Sequence, residues 1–332
     1  LSYHSTVQDV YQKAAKAPDA SLCCVPQTPR YLPGLTIPSI MHEMNYGCGT
    51  VIHLQDMAAD QRALYVGVGG GLEALQLAYF TRSPGGVVAI DPVAEMREAA
   101  RKNLEEAARL NDWFDPSFID IRDGDALDLP VDDNTIGLAA QNCLFNIFTT
   151  RSATPGNNDL GDLEKALSEM HRVLKPAGRL VMSDPITPVP IPEHLRDDEV
   201  LRAQCISGCL SYDDYMQKIT EAGFGSSEIR VRRPYRMIDR HRYNLEQDIL
   251  LETIEVCSYK TPIPADGPCI FTGRVAIYTG EEETFNDGKG HNLLRDVPLP
   301  VCDKTAAAFD TLNHPHLTIT APTWHYAGGG CC

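Results

Sequence analysis

The chain has no apolar stretch approaching the roughly 18 residues that a membrane-spanning helix needs. Its first residues, Leu1-Ser2-Tyr3-His4-Ser5, lack the basic-then-apolar order of a signal peptide. A soluble, cytoplasmic protein with no membrane partner is expected. Basic charge is scarce: 29 Lys and Arg stand against 45 Asp and Glu, for a formal net charge of -16. A field of that sign repels polyanions, which argues against nucleic acid as a partner. No Cys-x-x-Cys spacing occurs among the 11 cysteines, the count is odd, and adjacent pairs stand at Cys23-Cys24 and Cys331-Cys332. This speaks against a disulfide framework and a zinc knuckle, leaving reduced, partly reactive thiols and no structural metal. His42, His53 and His171 are scattered, and nothing forms a Ser-His-Asp or metal-ligand spacing.

What is present is a change of pattern along 332 residues, enough for one domain of ordinary size and a smaller companion. Residues 1–60 read as an N-terminal arm: a helical start from Thr6 to Ala17, then Pro18, Pro26, Pro29, Pro33 and Pro38 interrupting any long element. Residues 61–233 alternate strand and helix, the signature of a doubly wound parallel sheet. Strands are predicted at Ala63 to Val68, Gly86 to Asp91, Thr135 to Ala140 and Arg179 to Asp184. Helices are predicted at Gly71 to Phe80, Ala94 to Arg109 and Leu163 to Leu174, the last stopped by Lys175-Pro176-Ala177-Gly178. A Pro-rich link then leads to a helical region around Cys205, a helix from Tyr212 to Gly223 and a strand at Ile229 to Arg232. Residues 234–332 are expected to form a smaller α+β region ending in a flexible Gly-Gly-Gly-Cys-Cys tail.

Gly67-Val68-Gly69-Gly70-Gly71 follows a strand and opens a helix, where glycines let the backbone turn closely around a ligand. A tight turn with no ligand would also explain it. Asp91 ends the second strand 24 residues after Gly67, where a carboxylate can accept both ribose hydroxyl protons; a simple helix N-cap is the plainer reading. Both NAD and S-adenosylmethionine suit such a turn. Three isolated cysteines, Cys48, Cys143 and Cys205, each stand beside small or polar residues, as suits a soft ion that accepts three sulfurs. Cys209, Cys257, Cys269 and Cys302 read as small buried hydrophobes.

Gly124-Asp125-Ala126 after the third strand, and the helix running into Lys175-Pro176-Ala177-Gly178 and a strand, resemble class I S-adenosylmethionine-dependent methyltransferases. That resemblance implies a Rossmann-like α/β core. Its cofactor site would comprise Gly67, Gly69, Gly71, Asp91, Pro92, Asp125, Ala126 and Asn142. The family usually carries an acid two residues before the first glycine, and Tyr65 stands there instead. Tyr46-Gly47-Cys48-Gly49, Asn142-Cys143 and Cys205-Ile206-Ser207-Gly208 resemble the signature segments of arsenite methyltransferases, and Cys23-Cys24 resembles a further N-terminal cysteine of that family. The ending His325-Tyr326-Ala327-Gly328-Gly329-Gly330-Cys331-Cys332 resembles the arsenosugar-biosynthesis branch.

The resemblance implies a monomeric enzyme that methylates arsenite and methylarsenite held by Cys48, Cys143 and Cys205. The N-terminal arm would lie over the active site. Trivalent arsenic bound by three thiolates keeps a lone pair that can attack a sulfonium methyl without a general base. The arsenic then needs two electrons to return to the trivalent state. A disulfide from Cys48 to Cys24, or to its neighbour Cys23, would supply them, with glutathione or thioredoxin as the external thiol reductant. Two alternatives stay open: a methyltransferase of the same fold acting on a small metabolite, with structural cysteines, and a non-catalytic arsenite-binding protein.

Overall fold

The computed structural model describes residues 3–19, 21–22, 28–150, 160–261, 271–321 and 325–326. An N-terminal helix, α1 (Tyr3–Lys16), and the short α2 (Ser39–Glu43) precede β1 (Ala63–Val66). Strand and helix then alternate through α3 (Leu72–Thr81), β2 (Val87–Asp91), α4 (Ala94–Leu110), β3 (Ile119–Asp123), β4 (Ile136–Asn142), α5 (Asp162–Val173) and β5 (Leu174–Ile186). The helices α6 (Glu193–Arg196), α7 (Glu199–Ala203) and α8 (Tyr212–Glu221) lead into the long strand β6 (Phe224–Ile238). The one-turn α9 (Arg240–Tyr243) separates it from β7 (Ile249–Lys260). There follow β8 (Phe271–Tyr278), β9 (Thr284–Asn286), β10 (Asn292–Leu294), β11 (Leu299–Cys302), α10 (Asp303–Leu312), β12 (Leu317–Ile319) and β13 (His325–Tyr326).

In the main sheet the strands lie in the order β13-β6-β7-β5-β4-β1-β2-β3. The five from β3 to β5 are parallel, whereas β7 runs antiparallel to both β5 and β6. The winding therefore reverses between β1 and β4, and a doubly wound sheet opens a crevice at the carboxyl ends of the strands at such a point. Strands covered on both faces read as unbroken apolar runs, and all of Ala63-Leu64-Tyr65-Val66 is buried. The period of two divides them: Tyr65, Ala89 and Leu138 enter one core with α3 and α4, while Leu64, Ile90 and Ala139 enter another with α5 and α8. Met96, Ala100, Leu104 and Ala107 make the buried stripe of α4; Leu163, Ala166, Leu167, Met170 and Val173 make that of α5.

Two sequence expectations need correction. The strand expected at Arg179 begins at Leu174, which already pairs with Ile136. The Lys175–Gly178 segment makes an irregularity before Arg179 pairs with Leu138, and Ala177 takes φ 60°. The boundary expected between residues 233 and 234 falls inside β6, whose pairing with β7 carries the same sheet onward. Arg230, Arg232, Arg233 and Pro234 break the apolar alternation there, so the strand is written in sequence as only its middle. From Phe271 the chain builds an antiparallel β11-β8-β12 layer backed by α10, with a core of its own around Tyr278, Val301 and Phe309. Among the described residues no helix is long and apolar enough to cross a membrane.

A buried ion pair helps fasten the segment between α2 and β1 to the sheet. Arg230 reaches Asp56 through Nε···Oδ2 at 3.0 Å and Nη2···Oδ1 at 2.6 Å, and the Asp56 side chain has no solvent exposure. Such a pair adds little over an apolar replacement, and removing Asp56 leaves the buried Arg230 guanidinium with Glu228, at 2.5 Å, as its acidic partner. Asp56→Asn should therefore lower the unfolding free energy by about 2 kcal/mol in a urea titration, less than a fully stranded charge would cost. A loss below about 1 kcal/mol would mean that water reaches Arg230 when the charge is removed.

Candidate functional site

A cleft enclosing roughly 1000 Å3, open mouth included, lies at the carboxyl ends of β1, β2 and β4. Gly67 and Gly69, at φ 85° and 51°, carry the chain from β1 into α3 and line the cleft. A Cβ at either would meet nothing nearer than 3.9 Å, so it is the left-handed backbone that requires glycine, with the space above left for a ligand. Gly71 is different. It is absent from the cleft lining; a Cβ there would make ordinary contacts with Leu104 and Met41, and its φ of 90° is what requires glycine where α3 meets α4 and α2.

Asp91 ends β2 on the cleft wall, 7% exposed, with Val93 N donating to its Oδ1 at 2.9 Å. Burial pushes this carboxyl up to about 6, against the opposing pull of the backbone N–H groups of Val93, Val68 and Gly69 and of Arg97. Pro92, Asp125 and Ala126 continue the same wall. Asp125 closes its own turn by accepting from Leu127 N at 2.9 Å.

Asn142, at the end of β4, joins the cleft to the N-terminal arm. Its Oδ1 accepts from Cys48 N at 3.1 Å, and its Nδ2 donates to Gly49 O at 3.0 Å and to Glu73 Oε1 at 2.9 Å. Cys143 follows it and lines the cleft, at φ 62°; Cys205, just beyond α7, stands at φ 56°. Left-handed backbone at a non-glycine residue costs on the order of 1 kcal/mol, and here it falls on two of the three cysteines singled out from sequence. Cys48, Cys143 and Cys205 are brought into one buried cluster with Ile147, at 0%, 4% and 1% exposure. The sulfurs of Cys205 and Cys48 point to oxygen atoms. Cys205 Sγ donates to Cys143 O at 2.9 Å, and Cys48 Sγ stands 3.4 Å from Ser183 Oγ and 3.5 Å from Thr253 Oγ1. Among the described residues no three His, Cys, Asp or Glu side chains are arranged to hold a metal ion.

Helix α1 covers the cleft, contributing His4, Val7, Gln8 and Tyr11 to its lining. Tyr3 and His4 bond Asp162 at the start of α5, and Tyr11 donates to Ala203 O at 3.2 Å. Cys23 and Cys24 lie outside the described residues, as do Cys269, Cys331 and Cys332. Cys209 and Cys257 are buried. The arm expected over the active site does line the cleft through α1, whereas sequence reasoning missed Glu73. An acid two residues past a glycine turn reads as an ordinary first-turn partner of the helix dipole.

A family model described as a methyltransferase domain matches residues 64–182. The chain is 26% identical over 325 residues to an arsenite methyltransferase of Aquipseudomonas alcaligenes, covering 94% of this chain and 89% of that protein. It is likewise 26% identical over 187 residues to an arsenite methyltransferase of Halobacterium salinarum, covering 56% of this chain and 43% of that one; it thus spans less than half the length of that relative. Among solved structures, an arsenic(III) S-adenosylmethionine methyltransferase from Chlamydomonas reinhardtii matches with a TM-score of 0.59 at 23% identity, over 86% of this chain and 93% of that one. The fold is that of class I S-adenosylmethionine-dependent methyltransferases, and the sequence is related to the arsenite methyltransferases.

If adenosine occupies the cleft, the Asp91 carboxylate can accept hydrogen bonds from two ribose hydroxyls only when ionised. With its pKa raised to about 6, it is mostly protonated at pH 5 and mostly ionised at pH 7. Adenosine titrated by calorimetry should therefore bind about tenfold more tightly at pH 7 than at pH 5, and Asp91→Asn should flatten the dependence. A flat wild-type profile would take Asp91 out of the adenosine site.

Proposed function

We propose that this chain is an S-adenosylmethionine-dependent methyltransferase whose acceptor is trivalent arsenic held by Cys48, Cys143 and Cys205. The observation that carries the reading is the convergence of these three cysteines, distant in sequence, in one buried cluster whose member Cys143 also lines the cleft. The cleft fits the cofactor: glycines at positive φ leave room above the β1 turn, and a buried carboxyl ends β2. Gly67, Gly69 and Asp91 would hold the adenosine end, with Pro92, Asp125 and Ala126 along the base and Asn142 beside the sulfonium. When bound, S-adenosylmethionine supplies an electrophilic methyl group.

The acceptor chemistry balances on the cysteines. Arsenite exchanges three hydroxyls for three thiols, each thiol proton leaving with a hydroxyl as water. Bringing the sulfurs to a common centre requires Cys48 and Cys205 to turn from their present oxygen neighbours, a cost of about 1 kcal/mol per hydrogen bond that an arsenic–sulfur bond outweighs. The arsenic lone pair then forms the new bond to carbon as the methyl–sulfur bond breaks. With no proton to remove, positioning is the main contribution of the protein. The pentavalent arsenic formed recovers its two electrons when the thiolate of Cys24, or Cys23, its proton lost to water, attacks Cys48 Sγ: the arsenic–Cys48 bond breaks with its electron pair left on arsenic, and a disulfide forms. A thiol reductant such as glutathione or thioredoxin reopens that bond. Helix α1, by covering the cleft, would keep water from the reacting atoms. Membership of the arsenosugar-biosynthesis branch is proposed on the tail alone, and residues 327–332 lie outside the described residues.

Incubation of the chain with methyl-labelled S-adenosylmethionine, arsenite and a thiol, followed by arsenic speciation, should yield labelled methylarsenicals. Each of Cys48→Ser, Cys143→Ser and Cys205→Ser should abolish methylation of arsenite. Methylarsenite has only two positions for thiols, so Cys48→Ser should still methylate it, whereas Cys143→Ser and Cys205→Ser should not. Arsenite binding without turnover would favour a non-catalytic binding protein, and neither binding nor turnover would favour a small-metabolite methyltransferase.

A further inference from the structure

Tyr65 occupies the position at the end of β1 where an acid was expected, yet a carboxylate reaches the same part of the cleft from another element. Glu73, in the first turn of α3, lines the cleft beside Tyr65 and is 8% exposed. It accepts from Asn142 Nδ2 at 2.9 Å, and Tyr65 lines the same part of the cleft. Both neighbours are neutral. Among the described residues no Lys, Arg or His pairs with it. Burial pushes the Glu73 carboxyl up, with the Asn142 hydrogen bond restoring only part of what hydration gave.

An acid in the first turn of a surface helix ordinarily faces water and complements the dipole. One buried on a cleft wall with neutral neighbours alone lacks a counter-charge, which a ligand can bring. The best match is a compact cation with several N–H groups, since the carboxylate keeps lone pairs that Asn142 does not use. We infer that Glu73, positioned by Tyr65 and Asn142, receives the α-ammonium group of the cofactor's methionine moiety, in place of an acid at position 65. This rests on the S-adenosylmethionine reading and is independent of the arsenic. Glu73 is then a cofactor-binding residue. Asn142, whose amide also holds Cys48 N and Gly49 O, links the cofactor's amino-acid end to the N-terminal cysteine turn.

The test uses two ligands that share the adenosyl thioether, of which only one has an amino group. S-adenosylhomocysteine and 5′-methylthioadenosine are titrated by calorimetry into the full chain and into Glu73→Gln and Tyr65→Phe. Glu73→Gln should weaken S-adenosylhomocysteine about tenfold or more, with 5′-methylthioadenosine unchanged within about twofold. Tyr65→Phe should show a smaller loss of the same selectivity. Equal loss of both ligands in Glu73→Gln would make Glu73 structural and overturn the assignment, as would unchanged binding of S-adenosylhomocysteine. A wild-type chain that binds neither ligand would overturn the cofactor reading itself, and this inference with it.

Discussion

The side-chain amide of Asn142 holds a backbone turn from one end of the chain against the end of a strand from its middle. Cys48 N and Gly49 O are both satisfied by this one amide. The turn can come so close because its residues are small. A Cβ on Gly47 would sit 2.0 Å from Asn142 Nδ2, and one on Gly49 would sit 2.4 Å from Ser183 Oγ. Any side chain at Gly47 or Gly49 would push Cys48 away from Cys143. The same amide bonds Glu73, so the arrangement of the cluster and that of the cleft depend on one group with its hydrogen bonds used.

Topology supplies the rest of the geometry. Reversal of strand order between β1 and β4 puts the glycine turn, Asp91 and Asn142 around one crevice although 75 residues separate Gly67 from Asn142. Cys205 arrives from the α7 turn, where its left-handed backbone directs Sγ to Cys143 O. Helix α1 then covers the open side, bonded to Asp162, Ala203 and Glu95, with Ala14 buried in the core that α3 and α4 share with the sheet. An acceptor must reach cysteines that are almost fully buried.

What was legible in the sequence was local. The turn Gly67 to Gly71, the acid closing β2 and the stripes of α4 and α5 are written in neighbouring residues, and each appears where spacing put it. The strand ends were less legible because long-range pairing sets them: Leu174 becomes strand by meeting Ile136, and β6 continues through its arginines by pairing with β7. The candidate site was legible as residue types without their partners. Nothing in the sequence tells that Gly71 packs on α4, or that Glu73 faces the cleft; both follow from how α3 lies on the sheet.

Three cysteines from three parts of the chain are proposed to act as one arsenic site beside the methyl donor. Arsenic X-ray absorption on the full chain loaded with one equivalent of arsenite counts the atoms bound to arsenic. Three sulfur neighbours and no oxygen are expected for the wild type. Each of Cys48→Ser, Cys143→Ser and Cys205→Ser should show two sulfurs and one oxygen. An oxygen retained on arsenic in the wild-type protein, or three sulfurs persisting in any one of the variants, would contradict the assignment.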